Sequence, residues 1–575
     1  MINRRKQASS SVSLLQVRQA NDDEDAEKKS YYGHYIFKVI NFTACAKTSF
    51  VNIGILSLVL MLMLAIMPAS YPAYEQFEIP IDHIPLGVAE PLIRIQELEN
   101  MKEGIIPMEI GQRMQKETLE EKRLRLLGNQ ALIQYGDRLR NLMMQGTFLF
   151  QPSEQKASLD NNNNDDAQLA IRKQLYDLAP WLKGDYHHVG WPLSQFPTIH
   201  QDPNSKAIVV CAGDKQYAYL DALVYTIRVV HQSPITIHIS YKGDTDLSPS
   251  SRKTLSDKFG HDQNLNFLDL SQIFDLDAAK LNGWNLRIFG LLAVPEANLA
   301  MLDVDVILYQ PPEALFQLSS YQQMGAHFFH DRINSEGLWQ PRQLLLRLQP
   351  QPSQQAQRAL TNGQMPFNEH IQEAGVVLIN KARRSIGLWA ACLLVGRWDI
   401  RRFVQRDLVY GDKELYWTAF EAVNEPYTFA KYYPGSIGAV LTNFDEITMS
   451  YTAVTSSDMI TINDQQNVAL CGRIVHFDEA GQPIWSNGGY LTKEDDRDSK
   501  KVKSQDGLQP ILFIDGGYEF GPAGKPGLNQ YWKFHDKMGV NCLYPNSRKI
   551  QQVPPDEAKK GAEAVKYYLQ IISGA

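Results

Sequence analysis

Between residues 206 and 310 the chain alternates short apolar runs with helical stretches. In order these are KAIVVCAGD (206–214), DALVYTIRVVHQ (221–232), PITIHISYKGD (234–244), SPSSRKTLSDKFG (248–260), NLNFLDL (264–270), AAKLNGWNLRIFGLLAV (278–294) and ANLAMLDVDVILYQ (297–310). Nearly continuous apolar strands separated by helices predict an α/β fold built on a doubly wound, mostly parallel sheet. In such sheets ligands sit beyond the carboxyl ends of the strands. CAGD after the first strand and DVD after the fourth occupy such ends. No GxGxxG follows the first strand, and neither a P-loop signature nor HExxH occurs, so the common dinucleotide, P-loop and zinc-protease sites lose support.

Asp303 and Asp305 interrupt an apolar strand that Pro311 and Pro312 then stop. Residues two apart in a strand share a face, so two parallel carboxylates are expected, with Val304 packed on the other side. Buried carboxylates need neutralisation. Hard oxygen ligands suit Mg²⁺ or Mn²⁺ carrying a diphosphate; the plainer reading is a pair of acids balanced by Lys or Arg. A further ligand is offered by GRIVHFDEAGQPIW (472–485), where His476 ends an apolar strand before a glycine turn and Trp485. EHIQEAGVVLINKARRS (369–385) places Glu373 before Gly375 and an apolar strand. DLVYGDKELYWTAFEAV (407–423) places Asp412, Lys413 and Glu414 at the start of an amphipathic helix, with Leu415, Tyr416, Trp417 and Phe420 on its apolar side. Asp412 there reads as an N-cap.

Outside that core, Phe50 to Pro68 carries no charge and is about one hydrocarbon core long as a helix. It is preceded by 49 polar residues, unlike a signal peptide. Lys38 and Lys47 before it, against Glu75, Glu78 and Asp82 after it, orient the C-terminal bulk to the lumen. The expected layout is a cytoplasmic tail (1–49), a signal anchor (50–68), a partly helical lumenal stem (69–180) and a catalytic domain (181–575). The stem includes a charged helical stretch, 115–143, and a low-complexity linker, DNNNNDDAQ (160–168). Four cysteines, Cys211, Cys392, Cys471 and Cys542, fall on the lumenal side and allow up to two disulfides, although Cys211 in AIVVCAG reads better as a small buried hydrophobe. A formal net charge of −7 provides no basic field for nucleic acid.

The segments AGDKQYAYLDALVYTIRVVHQSPITIHISYKGDTDLS, LDVDVILYQPPEALF, HFFHDR, EAGVVLINK, YGDKELYWTAFE and HFDEAGQPIWSNGG, in this order across about 205–495, resemble the fungal Golgi α-mannosyltransferases of glycosyltransferase family 71. The resemblance implies a GT-A type nucleotide-sugar fold, a GDP-mannose donor, Mn²⁺ (or Mg²⁺) dependence, and retention of the α anomer on a mannose-containing N- or O-glycan. It implies a Golgi type II membrane enzyme; further transferase subunits stay open as partners, since the sequence does not reveal them. Asp303 and Asp305 would take the DxD role towards ribose and metal, and His476 that of a metal-binding histidine. Ala212, Gly213 and Arg287, the last where relatives often have Lys, would contact the donor. Asp412 and Glu373 would line the reaction pocket, with Glu414 and Trp485 facing the acceptor. The rival readings are a UDP-sugar transferase of the same fold and a non-catalytic glycan-binding or scaffold subunit.

Overall fold

The computed structural model describes residues 119–146, 149, 165–188, 191–196, 202–260, 262–332, 340–354, 356–357, 370–445, 450–454, 468–487, 514–515, 531–535, 540–544, 551–552 and 555–573. The chain divides into units Met1–Pro85 and Leu86–Ala575, and every described residue lies in the second. The expected tail and anchor (1–68) lie outside the described residues. Among the described residues no helix is long and apolar enough to cross a membrane.

The apolar runs become β1 (Lys206–Cys211), β2 (Thr236–Tyr241), β3 (Leu265–Asp269) and β4 (Asn298–Leu302). They lie parallel in the order β3-β2-β1-β4. Ala207 to Val210 are fully buried, as expected of a central strand covered on both faces. One covering element is the helix Arg287–Ala293, which seats on β1 and β2 because it carries Gly290. A Cβ there would meet Val209 Cγ1 at 2.8 Å and Ser240 Oγ at 2.9 Å. Bulk at that point would lift the helix, and with it Arg287.

Beyond β4 the expected parallel order ends. The strand foreseen over 297–310 is broken: after β4 the chain turns through Asp303–Val306, and β5 (Ile307–Leu308) pairs elsewhere. Asp303 and Asp305 therefore do not sit on a common strand face. The β4 edge is taken by β7 (Gln372–Asn380), antiparallel, followed by β6 (Ala326–His330) and β8 (Thr428–Phe429). Among the described residues the sheet is mixed, with seven strands.

β5 enters a second, antiparallel sheet, which has nine strands among the described residues. It contains β9 (Gly435–Asp445), β10 (Ser450–Val454), β11 (Val468–Phe477), β12 (Pro483–Asn487), β13 (Ile514–Asp515), β14 (Tyr531–His535), β15 (Val540–Tyr544) and β16 (Gln551–Gln552). The DVD turn is thus the point where the chain changes sheets. Cys471 of β11 and Cys542 of β15 face each other in register and form a disulfide. Cys211 and Cys392 are free thiols, Cys392 buried and Cys211 packed against the core. The two-disulfide option gives way to one.

The foreseen stem also changes. Its charged stretch forms the helix Leu119–Gln145, but Leu132, Tyr135, Leu139, Leu142 and Met143 of that helix are buried in the main core, together with Trp181 and Leu345. Asp165 and Asp166, placed in a linker by composition, begin the helix Asp165–Leu178. Both helices belong to the folded body. At the other end the helix Pro555–Ser573 stacks Tyr567 on Tyr225 and Tyr568 on Tyr219, with ring centroids 3.6 and 4.7 Å apart.

Candidate active site

At the carboxyl end of β4 the molecule gathers acids from four separate segments. Arg287, buried at the start of its helix, is their hub. Its Nη1 donates to Asp303 Oδ1, its Nε to Asp412 Oδ2 at 3.2 Å, and its Nη2 to Asp412 Oδ1 at 2.6 Å. The Tyr416 hydroxyl, one helical turn after Asp412, donates to the same carboxylate. Asp412 is therefore an ion-pair partner and not the expected helix cap: its side chain makes no cap hydrogen bond. The helix it precedes, Lys413–Ala422, is buried on every side from Glu414 onwards, not only along one stripe.

Around this hub the charges interlock. The Lys413 ammonium pairs with Asp331 at the end of β6, and Arg332 Nε lies 3.9 Å from the same carboxylate. Burial would raise the Asp331 pKa, but Lys413, Arg332 and His370 hold it well below the usual carboxylate range. Glu373 accepts from the Gly375 N–H at 3.0 Å and from Asn487 Nδ2 at 2.9 Å. Burial and the charge of Asp331 raise its pKa. Asp303 is fixed by its backbone N–H to Gly375 O, 2.9 Å. Asp305 is pushed up to about 7, first by burial, then by Asp303 and Glu373. Five carboxyl groups (Asp303, Asp305, Asp331, Glu373, Asp412) thus meet three permanent cations (Arg287, Arg332, Lys413) in a buried, low-dielectric setting, and the surplus of acids accompanies the raised pKa values of Asp303, Asp305 and Glu373.

The remaining expected residues fall elsewhere. Ala212 and Gly213 follow β1 as foreseen, but both are buried, and Gly213 abuts Asp246: a Cβ would come within 2.3 Å of Asp246 Oδ1. Close packing accounts for that glycine. Glu414, expected at the acceptor, is fully buried; it accepts from the N–H of Ile371 (2.7 Å) and Gln372 (3.2 Å) and from Trp417 Nε1 (2.6 Å). It pins β7 to its neighbouring helix and has no access to an acceptor. Trp485 is likewise fully buried, stacked on His476 with centroids 4.0 Å apart and edge-on to Phe329 at 5.0 Å. It cannot face an acceptor.

His476 ends β11 as the sequence suggested, with its ring turned inwards. Both nitrogens are buried without a partner, and burial lowers its pKa to about 3. The imidazole is therefore neutral, the form that ligates metals. In chemistry, two carboxylates and an orphaned neutral imidazole fit a divalent cation. In position, no group of three such side chains converges among the described residues, so Asp303, Asp305 and His476 are not brought together. Sequence reasoning missed the roles of Asp331, Lys413 and Tyr416; HFFHDR and GDKELYW contained them, but their pairing is across segments.

Residues 205–463 match the family model described as "Mannosyltransferase putative". Among curated relatives, the chain is 25% identical over 313 residues to "Putative alpha-1,3-mannosyltransferase MNN14" of Candida albicans, covering 51% of this chain and 44% of that one. It is 22% identical over 350 residues to alpha-1,3-mannosyltransferase MNN1 of Saccharomyces cerevisiae, covering 52% and 43%. The matches span less than half the length of these relatives. Over the matched region the chain is similar to fungal alpha-1,3-mannosyltransferases, which are glycosyltransferases. Solved structures similar to it include the galactosyltransferase LgtC (18% identity, TM-score 0.27, 39% of this chain and 73% of that one) and the mannosyltransferase Ktr4p of S. cerevisiae (9%, 0.26, 51% and 81%). At such TM-scores these likenesses add nothing to the strand order.

Proposed function

We propose that the chain is a mannosyltransferase that moves mannose from GDP-mannose to a mannose-containing glycan with retention of the α configuration. The observation that carries this is the Arg287 hub, a buried guanidinium held between Asp303 and Asp412 within the family-matched region. A guanidinium bonds a diphosphate in the same forked geometry as a carboxylate, so an incoming diphosphate can take the place of Asp303 on Arg287. Released, Asp303 and its neighbour Asp305 would hold a divalent cation; His476, which is not brought beside them, would join as third ligand only by leaving its stack on Trp485. The cation would supply neutralisation of the charge that develops on the departing diphosphate.

The chain's own groups do the rest. Arg287 orients the diphosphate and stabilises it as the bond to the sugar C1 breaks. Asp412, locked by Arg287 and Tyr416, lies beside the forming oxocarbenium-like centre as a charge-stabilising group. The acceptor oxygen bonds to C1 on the face that the phosphate leaves, and its proton passes to the leaving phosphate oxygen, so no separate protein base is required. Asp331 and Lys413 keep the pocket floor rigid. We place the enzyme in the Golgi membrane as a single-pass type II protein, on the charge pattern around 50–68. A thermal-shift panel of GDP- and UDP-sugars, each with Mn²⁺, tests the donor: GDP-mannose should raise the Tm most, and a larger shift with a UDP-sugar would overturn that assignment.

A further inference from the structure

With Trp485 and Glu414 buried, the acceptor needs another surface. Five large hydrophobic residues stand exposed among the described residues: Met144, Tyr176, Val229, Trp284 and Tyr410. Two of these touch each other. Trp284 is 58% exposed and Tyr410 is 52% exposed, with ring centroids 5.9 Å apart and planes tilted by 53°. They come from segments far apart in sequence, and each is tied to the charged hub. Trp284 lies three residues before Arg287, in the short turn Gly283–Leu286 that leads into its helix. Tyr410 lies two residues before Asp412, separated by Gly411.

Gly411 makes the meeting possible. Its φ of +70° is a left-handed conformation that other residues adopt only with strain, and its Cβ position would be 3.8 Å from Trp284 Cε3. The turn folds Tyr410 back toward Trp284 while sending Asp412 down to Arg287. On the inner side Tyr410 is met edge-on by His370, centroids 6.3 Å apart, so its ring is supported from behind. The result is an angled, water-facing aromatic surface close in sequence to the buried Arg287–Asp412 pair.

We propose that Trp284 and Tyr410 form the acceptor platform, on which a pyranose ring of the glycan stacks while its reacting hydroxyl reaches toward the Arg287–Asp412 clamp. This rests on the glycosyltransferase reading of the same site. The chemistry is that of sugar recognition: a pyranose presents an apolar C–H face, and the electron-rich face of an aromatic ring attracts the positively polarised C–H groups. The hydroxyl rim stays in water or turns to polar neighbours. Two rings set at an angle suit a puckered sugar better than a flat base, which favours parallel stacking.

The test uses the full chain and the variants Trp284→Ala, Tyr410→Ala and Trp284→Phe, with GDP-mannose as donor and mannobiose as acceptor. Loss of either ring should raise KM for mannobiose roughly tenfold, with kcat and the GDP-mannose KM staying within about twofold. Trp284→Phe should recover most of the loss. A rise in the donor KM with the acceptor KM unchanged would overturn the platform and assign the rings to the nucleobase. No change in either constant would also overturn it. Saturation-transfer NMR with mannobiose alone separates this idea from the functional reading. If the wild type transfers nothing but binds mannobiose, and Trp284→Ala does not, the platform stands and the transferase reading falls. Equal binding by both, or none by the wild type, ends the proposal.

Discussion

Two buried polar regions of this molecule keep opposite balances. Around Arg287 the charges are cross-paired: Asp303 and Asp412 on the guanidinium, Asp331 on Lys413 and Asn487 on Glu373, with Tyr416 bound to Asp412 from one turn along the same segment. Around His476 the neighbours are rings, and neither imidazole nitrogen has a hydrogen bond. A paired cluster holds its own shape before any substrate arrives. An orphaned group costs about 1–3 kcal/mol for each buried donor or acceptor left unmade, and packing alone would be served better by a phenylalanine. The difference separates a preorganised charged cluster from a residue kept at a stability cost, which is the usual mark of a functional group.

Breaking the hub should have the largest effect. Arg287→Met leaves Asp412 buried and unpaired and removes the diphosphate contact; kcat/KM for GDP-mannose should fall roughly a thousandfold, with a stability loss of about 3–5 kcal/mol. Steady-state kinetics with urea unfolding read both, and a variant that keeps more than a tenth of the activity would remove the hub from the reaction. Next in size is the support of the second sheet. Cys471→Ser with Cys542→Ser opens a bridge spanning 71 residues and should cost about 3 kcal/mol of stability, while kcat/KM of the folded enzyme stays put; a large kinetic loss would tie that sheet to the chemistry directly.

The orphaned imidazole gives the sharpest contrast. His476→Phe fills the same stack between Trp485 and Phe329. The expected result is divided: the Tm holds or rises, while kcat/KM at limiting Mn²⁺ drops roughly a hundredfold. A higher Tm with unchanged activity would make His476 a packing residue and strike it from the ligand set. The smallest effect concerns Lys381, whose ammonium donates to the carbonyl oxygens of Leu291, Leu292 and Val294 at the far end of the Arg287 helix. Burial lowers its pKa to about 8. The folded state therefore releases this proton before the unfolded chain does. Its contribution to stability rises between about pH 8 and the ordinary lysine range, and is lost as pH falls through 8. Urea midpoints at pH 7.5 and 9.5 should differ less in Lys381→Met than in the wild type; equal slopes would show that Lys381 does not titrate there.

Much of the first sheet was legible because local pattern decides it. β1, β2, β3 and β4 and the helices between them follow from apolar runs that have one stable solution. The charged site was legible only as a set of names. Asp303, Asp305, Asp412 and Glu373 were singled out, but local pattern made Asp412 a cap, because a carboxylate before a helix is ordinarily one. Only the three-dimensional approach of Arg287, 125 residues away, turns it into an ion pair. The break after Asp303 was hidden for a similar reason: VILYQ reads as a continued strand, and nothing local says that Ile307 and Leu308 pair with β12. Trp485 shows the limit most simply. An aromatic residue beside a strand end suits an acceptor subsite and a core equally well, and its orientation depends on Phe329 and His476. The stem helices were misjudged because their charged faces dominate the composition, whereas Leu132, Leu139 and Leu142 determine where they pack.

The central claim is that the acids around Arg287 form a sugar-nucleotide site. Transfer by the full chain from GDP-mannose to mannobiose in Mn²⁺, comparing wild type with Asp303→Asn, Asp305→Asn at matched Tm, tests it most directly. The expected outcome is a mannose trisaccharide from the wild type and none from the double variant. Equal product from both would contradict it, and product only with a UDP-sugar would overturn the donor assignment.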